Sequence, residues 1–259
     1  MSIDTVAVSS IIFINSDYNV LYRLNKVPVK AIAFDVWNTL LDIGVVFNQI
    51  AYIVSNRFGS DIYKVSKCMA KAYSYAKKLR RYSDIDGLQI VFESQKILAN
   101  TINVDIDELL NIIDEAFKTI DINKLLFNDV IETLKILKRL DFKIGIIGNT
   151  MFWNSSYTKK ILRQLGVLSY IDTALFSDEL RINKPDKKIF LEFSKAIGVE
   201  PEYIAYVGDS IVEDVGGALS AGMKAIYIDR SREKKIILGD LGIAIITNLL
   251  EVIDAIEEF

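Results

Sequence analysis

The stretch KAIAFDVWNTLLD, residues 30–42, decides the architecture. Residues 30–34 form a short apolar run that reads as a buried strand, and the run stops at Asp35, a carboxylate, just before a polar turn. Sheets of parallel strands hold their ligand crevices beyond the carboxyl ends of those strands, so Asp35 stands at a catalytic address. One aspartate there is weak testimony, because turns after strands also use Asp and Asn for backbone hydrogen bonds.

Working outward, the pattern repeats. Residues 143–147, Thr173–Phe176, 204–207 and 225–228 also read as strands ending in polar loops. Amphipathic stretches lie between them. One, residues 129–140, carries Val130, Ile131, Leu134 and Leu137 on one face; another, residues 186–197, has Gly198 as its C-terminal stop. Strand and helix in alternation specify an α/β fold, a doubly wound, Rossmann-like parallel sheet covered by helices. Residues 43–124 differ, with consecutive helical patterns and no convincing strand, as an α-helical cap inserted into the core would have. The expected division is a core of residues 29–42 and 125–259, a helical cap of 43–124, and an extension of 1–28. That extension reads as a β-hairpin around Asn15, Ser16 and Asp17.

One cap helix, residues 63–81, sets Val65, Met69, Ala72, Ala76 and Leu79 against Lys64, Lys67, Lys71, Lys78 and Arg81. Such a basic stripe could guide an anion, but charges opposite an apolar face are usually solvated, and that is the reading taken here.

Composition removes several chemistries. A chain that is 51% hydrophobic and 25% charged is globular rather than disordered. A net charge of -3, with no domain-wide excess of basic residues, speaks against nucleic acid as a partner. The run IILGDLGIAII, residues 236–246, is broken by Asp240 and too short to span a bilayer. Asp4 stands where a secretory leader needs positive charge, and the single Cys68 makes no internal disulfide, so the expected location is cytoplasmic. Histidine is absent altogether, which excludes Ser-His-Asp and Cys-His catalysis and leaves the work to carboxylates, lysines or hydroxyls.

Three further segments accompany Asp35. They are Gly148-Asn149-Thr150 after the second strand, Asn183-Lys184-Pro185, and GDSIVED, residues 208–214, followed by GGALSAGM at 216–223. In these four motifs, in this order, the chain resembles the haloacid dehalogenase-like superfamily. The resemblance implies Asp35 as a nucleophile forming a covalent aspartyl intermediate, and Lys184 as the cation that steadies it. It implies a Mg2+ site made of Asp35, the Trp37 backbone carbonyl and Asp209, with Asp214 in support, and a small anionic substrate met by Trp37, Asn149 and Thr150. Carboxylates converging on one pocket repel, and Lys184 with Mg2+ would keep Asp35 ionised.

Two positions depart from the pattern. Phosphatases of the superfamily carry a second Asp two residues after the nucleophile, which protonates the leaving group; here that residue is Trp37, and dehalogenase members place an aromatic there. Gly148 stands where a Ser or Thr is common. The acidic fourth motif leans back towards metal chemistry. The favoured expectation is therefore Mg2+-dependent hydrolysis of a small phosphorylated metabolite. Without an acid at 37, its leaving group departs readily or is protonated by water or the cap. Metal-independent 2-haloacid dehalogenation is the alternative, with a cap arginine (Arg57, Arg80 or Arg81) gripping the carboxylate, and a non-catalytic binding role comes third. Nothing in the sequence signals an oligomeric state.

Overall fold

A computed structural model describes residues 28–259. The hairpin expected over 1–28 therefore falls, save its last residue, outside the described residues.

Seven strands form one sheet in the order β3-β2-β1-β4-β5-β7-β6. They are β1 (Ala31–Phe34), β2 (Lys143–Gly148), β3 (Thr173–Phe176), β4 (Ile204–Gly208), β5 (Lys224–Ile228), β6 (Ile236–Leu238) and β7 (Ile243–Ile246). All neighbours are parallel except β6, which runs antiparallel to β7. The apolar run at 236–246 is thus not one broken segment but a hairpin, closed by the turn Gly239–Leu241 and by Gly242 at φ 61. Glycine takes that left-handed conformation without the Cβ penalty that other residues meet.

Side chains alternate across the sheet, as the two-residue period of a strand requires. Ile32, Phe34, Ile144, Ile146, Ala205 and Val207 face one core, and Ala31, Ala33, Ile147, Ile204 and Tyr206 face the other. Both faces are covered, so β1 is wholly buried. Burying Phe34 alone contributes roughly 1.5–3 kcal/mol.

Between β1 and β2 the chain forms α1 (Ile43–Phe58), α2 (Ile62–Tyr82), α3 (Gln89–Ile102) and α4 (Ile106–Thr119), with no strand among the described residues of that interval. Their boundaries are local chemistry. Asp42, Asp61 and Asp105 cap the first turns of α1, α2 and α4, accepting from the backbone N–H groups of Gly44, Lys64 and Glu108. Gly59 ends α1 in the left-handed conformation. The chain's exit from the core and its return run side by side, with Asp42 N–H donating to Leu125 C=O at 2.8 Å and Phe127 N–H to Leu40 C=O at 3.2 Å. In α2, Val65, Met69, Ala72 and Ala76 are buried as the periodicity predicts. The fifth buried position is Arg80, whereas Leu79 is only half-buried. Lys64, Lys67, Lys71 and Lys78 are exposed, as solvated charges are.

The core helices follow: α5 (Val130–Arg139), α6 (Ser155–Gln164), α7 (Ser177–Leu180), α8 (Lys187–Ile197), α9 (Gly217–Ser220) and α10 (Val252–Glu258). Gly198 ends α8 at φ 67. No described helix is long and apolar enough to cross a membrane.

Candidate active site

The chain leaves β1 towards β2 on one side and leaves β4 towards β5 on the other, so the sheet's switch point lies between β1 and β4. Open α/β sheets form ligand crevices at that point, beyond the strand ends. Asp35 follows β1 there and Asp209 follows β4. Asn38, at φ 64, folds the turn after β1 back, and its side-chain amide donates to Asp209 Oδ2 at 3.2 Å. A left-handed asparagine is tolerated where its short polar side chain finds a local partner.

Asp214 reaches the same place by an unusual turn. Residues Ile211–Gly216 form a π-helical turn, in which Ser210 C=O accepts from both Asp214 and Val215 N–H, before α9 begins. Widened turns of this kind often mark functional sites. Gly208 leaves room for it: a Cβ there would lie 2.3 Å from the Asp214 carboxyl carbon.

Lys184 sits beneath these acids with 1% of its surface exposed. Its ammonium has three N–H donors, and all are used. They reach Asp35 Oδ1 at 2.6 Å, Asp214 Oδ1 at 2.7 Å and the Tyr206 hydroxyl at 2.7 Å. Tyr206 in turn donates to Ile147 C=O at 3.0 Å. The Lys184-Pro185 peptide is cis. Burial works against the Lys184 charge, yet Asp214 and Asp35 hold it above the ordinary lysine value.

One lysine does not neutralise three carboxylates. Asp35, Asp209 and Asp214 each bring an oxygen within 4.8 Å of the others. Burial is the main cause that pushes the Asp35 carboxyl up to about 7, with Asp214 and Asp209 adding to it against the pull of Lys184. Burial, then Asp214, also raises Asp209, opposed by the Asn38 amide. The donor set fits a hard divalent cation. Asp35 Oδ2 receives only a long 3.4 Å bond from Thr39, Asp209 Oδ1 receives none among the described residues, and no described backbone N–H reaches the Trp37 carbonyl. Asp214 is different, since Oδ1 takes Lys184 and Oδ2 takes Ser210 N–H at 2.9 Å. It supports the site from behind.

Above the acids is a cavity with about 50 Å3 of room for water-sized occupants. At roughly 10–15 Å3 for each water, that is room for a few waters. One wall is aromatic, with Trp37 and Trp153 edge to face at 5.5 Å and Phe152 beside them. These residues pack together and line the cavity at once. From α2 come Tyr73, whose ring lies 6.3 Å from that of Phe152, and Lys77 and Arg80.

The second motif behaves otherwise than expected. Asn149 lines the cavity, but its side-chain amide is committed to the Lys184 peptide, accepting from Lys184 N–H at 2.8 Å and donating to Lys184 C=O at 3.0 Å. Thr150 is buried and off the cavity wall, with its N–H and hydroxyl both paired to the Ser177 hydroxyl. Thr150, expected to meet the substrate, ties β2 to α7 by these bonds. Gly148 also has a structural cause, because a Cβ there would stand 2.8 Å from the Phe176 ring.

Glu213, Tyr206, Tyr73 and Lys77 escape a reading of motifs. A signal for the last two is present nonetheless: Tyr73, Lys77 and Arg80 are four and three residues apart, one stripe of a helix. Glu213 joins the two parts of the molecule. It accepts from Arg80 Nη2 at 3.1 Å and Arg81 Nε at 2.7 Å, and from Ser210 Oγ. Burial opposes this, but Arg81, Ser210, Arg80 and Lys77 together hold its carboxyl well below the usual range.

Residues 29–222 match the family model for haloacid dehalogenase-like hydrolases. The chain belongs to that family. Among relatives, a glyceraldehyde 3-phosphate phosphatase from Methanopyrus kandleri is 35% identical over 41% of this chain, and the match spans 44% of that enzyme. An (S)-2-haloacid dehalogenase from Pseudomonas is 24% identical over 78% of this chain and 86% of its own. The solved structure of a HAD phosphatase from Thermococcus onnurineus superposes with a TM-score of 0.62 at 26% identity, over 87% of this chain and 97% of that one. This haloacid dehalogenase-like hydrolase thus resembles both phosphatases and dehalogenases.

Proposed function

We propose that the chain is a cytoplasmic, Mg2+-dependent phosphohydrolase of a small phosphorylated metabolite, acting through an aspartyl-phosphate at Asp35, with the helical unit as its cap. The observation that carries this is the unbalanced trio Asp35, Asp209 and Asp214, with Lys184 the one cation among the described residues that is hydrogen-bonded to them. A halide leaves from carbon without metal assistance, and a dehalogenase has no use for a third acid whose free oxygen faces the pocket.

Asp35, held by Lys184 at 2.6 Å, is positioned to attack phosphorus with one carboxylate oxygen. Asp209, Asp35 and the Trp37 carbonyl would hold Mg2+, with Asp214 fixing the geometry behind them. When bound, the ion offsets charge on the acids and on the phosphoryl oxygens. Lys184 keeps Asp35 aligned and offsets part of the charge gathered in the transition state.

The second reading, 2-haloacid hydrolysis, draws on Trp37 and the aromatic wall. Of the three arginines it could use, Arg57 is paired with Glu108 and Glu115, and Arg81 with Glu213. Only Arg80 lines the cavity, and it is shared with Glu213.

One assay separates the readings: phosphate release from a panel of small phosphate esters and chloride release from 2-chloropropionate, each with and without Mg2+, for the wild type and Asp35→Asn. The expected outcome is Mg2+-dependent phosphate release lost in Asp35→Asn. Chloride release without metal would establish the alternative, and turnover surviving Asp35→Asn would remove Asp35 as nucleophile.

A further inference from the structure

Departure of an alkoxide or phenoxide from phosphorus needs a proton, and Trp37, at the position where the family resemblance places the acid of a phosphatase, supplies none. The groups lining the cavity that could replace it are few. Asp35 is the nucleophile, Asp209 belongs to the cation site, and Asp214 accepts from Lys184 and Ser210. Lys184 has all three N–H donors engaged. Glu213 is held as a carboxylate by Arg80, Arg81 and Ser210, and a guanidinium such as Arg80 grips but does not give up its proton.

Two groups remain, Tyr73 and Lys77, one turn apart on α2. Burial, then the Asp209 charge, pushes the Tyr73 hydroxyl up against the pull of Arg80, which makes it a poor acid. Lys77 is different. It is half-buried, its ammonium lies 5.5 Å over the Tyr73 ring, and it makes no ion pair with any described residue. It lines the cavity together with Asp35, Asp209 and Glu213, and it is less exposed than its neighbour Lys78. The Arg80 and Arg81 clamp on Glu213 fixes the end of α2, one turn beyond Lys77, against the core.

We propose that Lys77 is the proton-transfer catalyst of this hydrolase, carried into the site by α2 in place of an acid at position 37; this rests on the phosphatase reading above. In the first half-reaction an Asp35 oxygen bonds to phosphorus, the bond from phosphorus to the leaving oxygen breaks, and the Lys77 ammonium gives that oxygen its proton. The products are the free alcohol, the aspartyl-phosphate and a neutral Lys77 amine. In the second, water attacks phosphorus, its proton passes to the amine, and the bond to Asp35 breaks. Phosphate leaves, and Asp35 and the ammonium are restored. With Lys77 in this role, the substrate class widens from esters whose leaving group departs readily to esters of phenols and ordinary alcohols.

The test uses the full chain with Mg2+ and two aryl phosphates, 2,4-dinitrophenyl phosphate, whose leaving group is stable as an anion, and phenyl phosphate, whose leaving group is not. Lys77→Met is expected to lose about 10²–10⁴-fold on phenyl phosphate, and less than about tenfold on the dinitrophenyl ester. Lys77→Arg, which keeps the charge but not a transferable proton, is expected to show the same selective loss. An equal loss on both substrates, a phenyl phosphate rate preserved in Lys77→Arg, or a selective loss in Tyr73→Phe instead would overturn the proposal and leave the phosphatase reading standing. Turnover of either ester that survives Asp35→Asn would sink the phosphatase reading, and the role of Lys77 with it. The two tryptophans, Trp37 and Trp153, both line the cavity, so intrinsic fluorescence reports directly whether each variant has folded with the site intact.

Discussion

At the scale of single residues, Lys184 is the centre of gravity. Three buried donors converge on three acceptors, and each acceptor has a further partner of its own, so the ammonium cannot move without breaking the set. Asp35, Lys184, Asp209 and Asp214 are legible in the sequence because each lies at or just beyond a strand end or beside a proline, where motif order exposes it. Tyr206 is not. It occupies an interior strand position between Ala205 and Val207, and only the neighbouring strand brings Ile147 C=O and Lys184 to its hydroxyl. Tyr206→Phe removes the acceptor for one Lys184 proton and is expected to destabilise the fold by about 1–3 kcal/mol. Chemical denaturation would measure it; a loss near zero would show that the hydroxyl is dispensable to the network.

At the scale of elements, the turn after β4 is the least forgiving part of the molecule. Its wide helical turn draws the Asp214 carboxyl over Gly208, so Gly208→Ala must displace that carboxyl. Overpacking of this kind is expected to lower stability by about 1–3 kcal/mol and to abolish turnover together; a variant that melts like the wild type and stays active would refute the close approach. Elsewhere Asp172 joins three elements. Its carboxylate accepts from Ile144 N–H in β2 at 2.7 Å and from Lys138 in α5, just before β3 begins. Burial would raise the carboxyl, but those two donors hold it below the usual value. A lowered carboxyl in the folded state stabilises above the unfolded-state value and loses that contribution as the pH falls through the folded one. Asp172→Asn should therefore narrow the stability gap between neutral and acid pH, and identical pH profiles for wild type and variant would refute it. Helix limits such as Asp186 and Gly198 were legible because caps are local. The β6–β7 hairpin was not, since an apolar run broken by Gly239-Asp240-Leu241-Gly242 reads equally as one interrupted segment until a sheet edge is there to receive it.

At the scale of the whole molecule, Glu213 is where the helical unit meets the core. Glu213→Gln leaves Arg80 buried without its counter-charge, and breaking a buried pair of this kind is expected to cost about 3 kcal/mol. With the clamp loosened, Trp37 and Trp153 should become more accessible to acrylamide; a loss of stability with unchanged quenching would show that the pair is structural only. By itself the sequence determined the alternation of strands and helices, through periodicity and local caps, and it displayed the four motifs that carry Asp35, Lys184, Asp209 and Asp214, whose roles are what the family resemblance implies. Only the tertiary structure decided what surrounds Asp35. Glu213 is over 130 residues from Arg80 and Arg81 in the chain, and although periodicity sets Lys77 on a different stripe of α2 from Lys78, nothing in α2 itself says that the stripe of Lys77 meets the acids. The physical reason is that side-chain direction on a helix is fixed by how the helix docks, and the docking depends on a partner that the helix's own sequence does not contain.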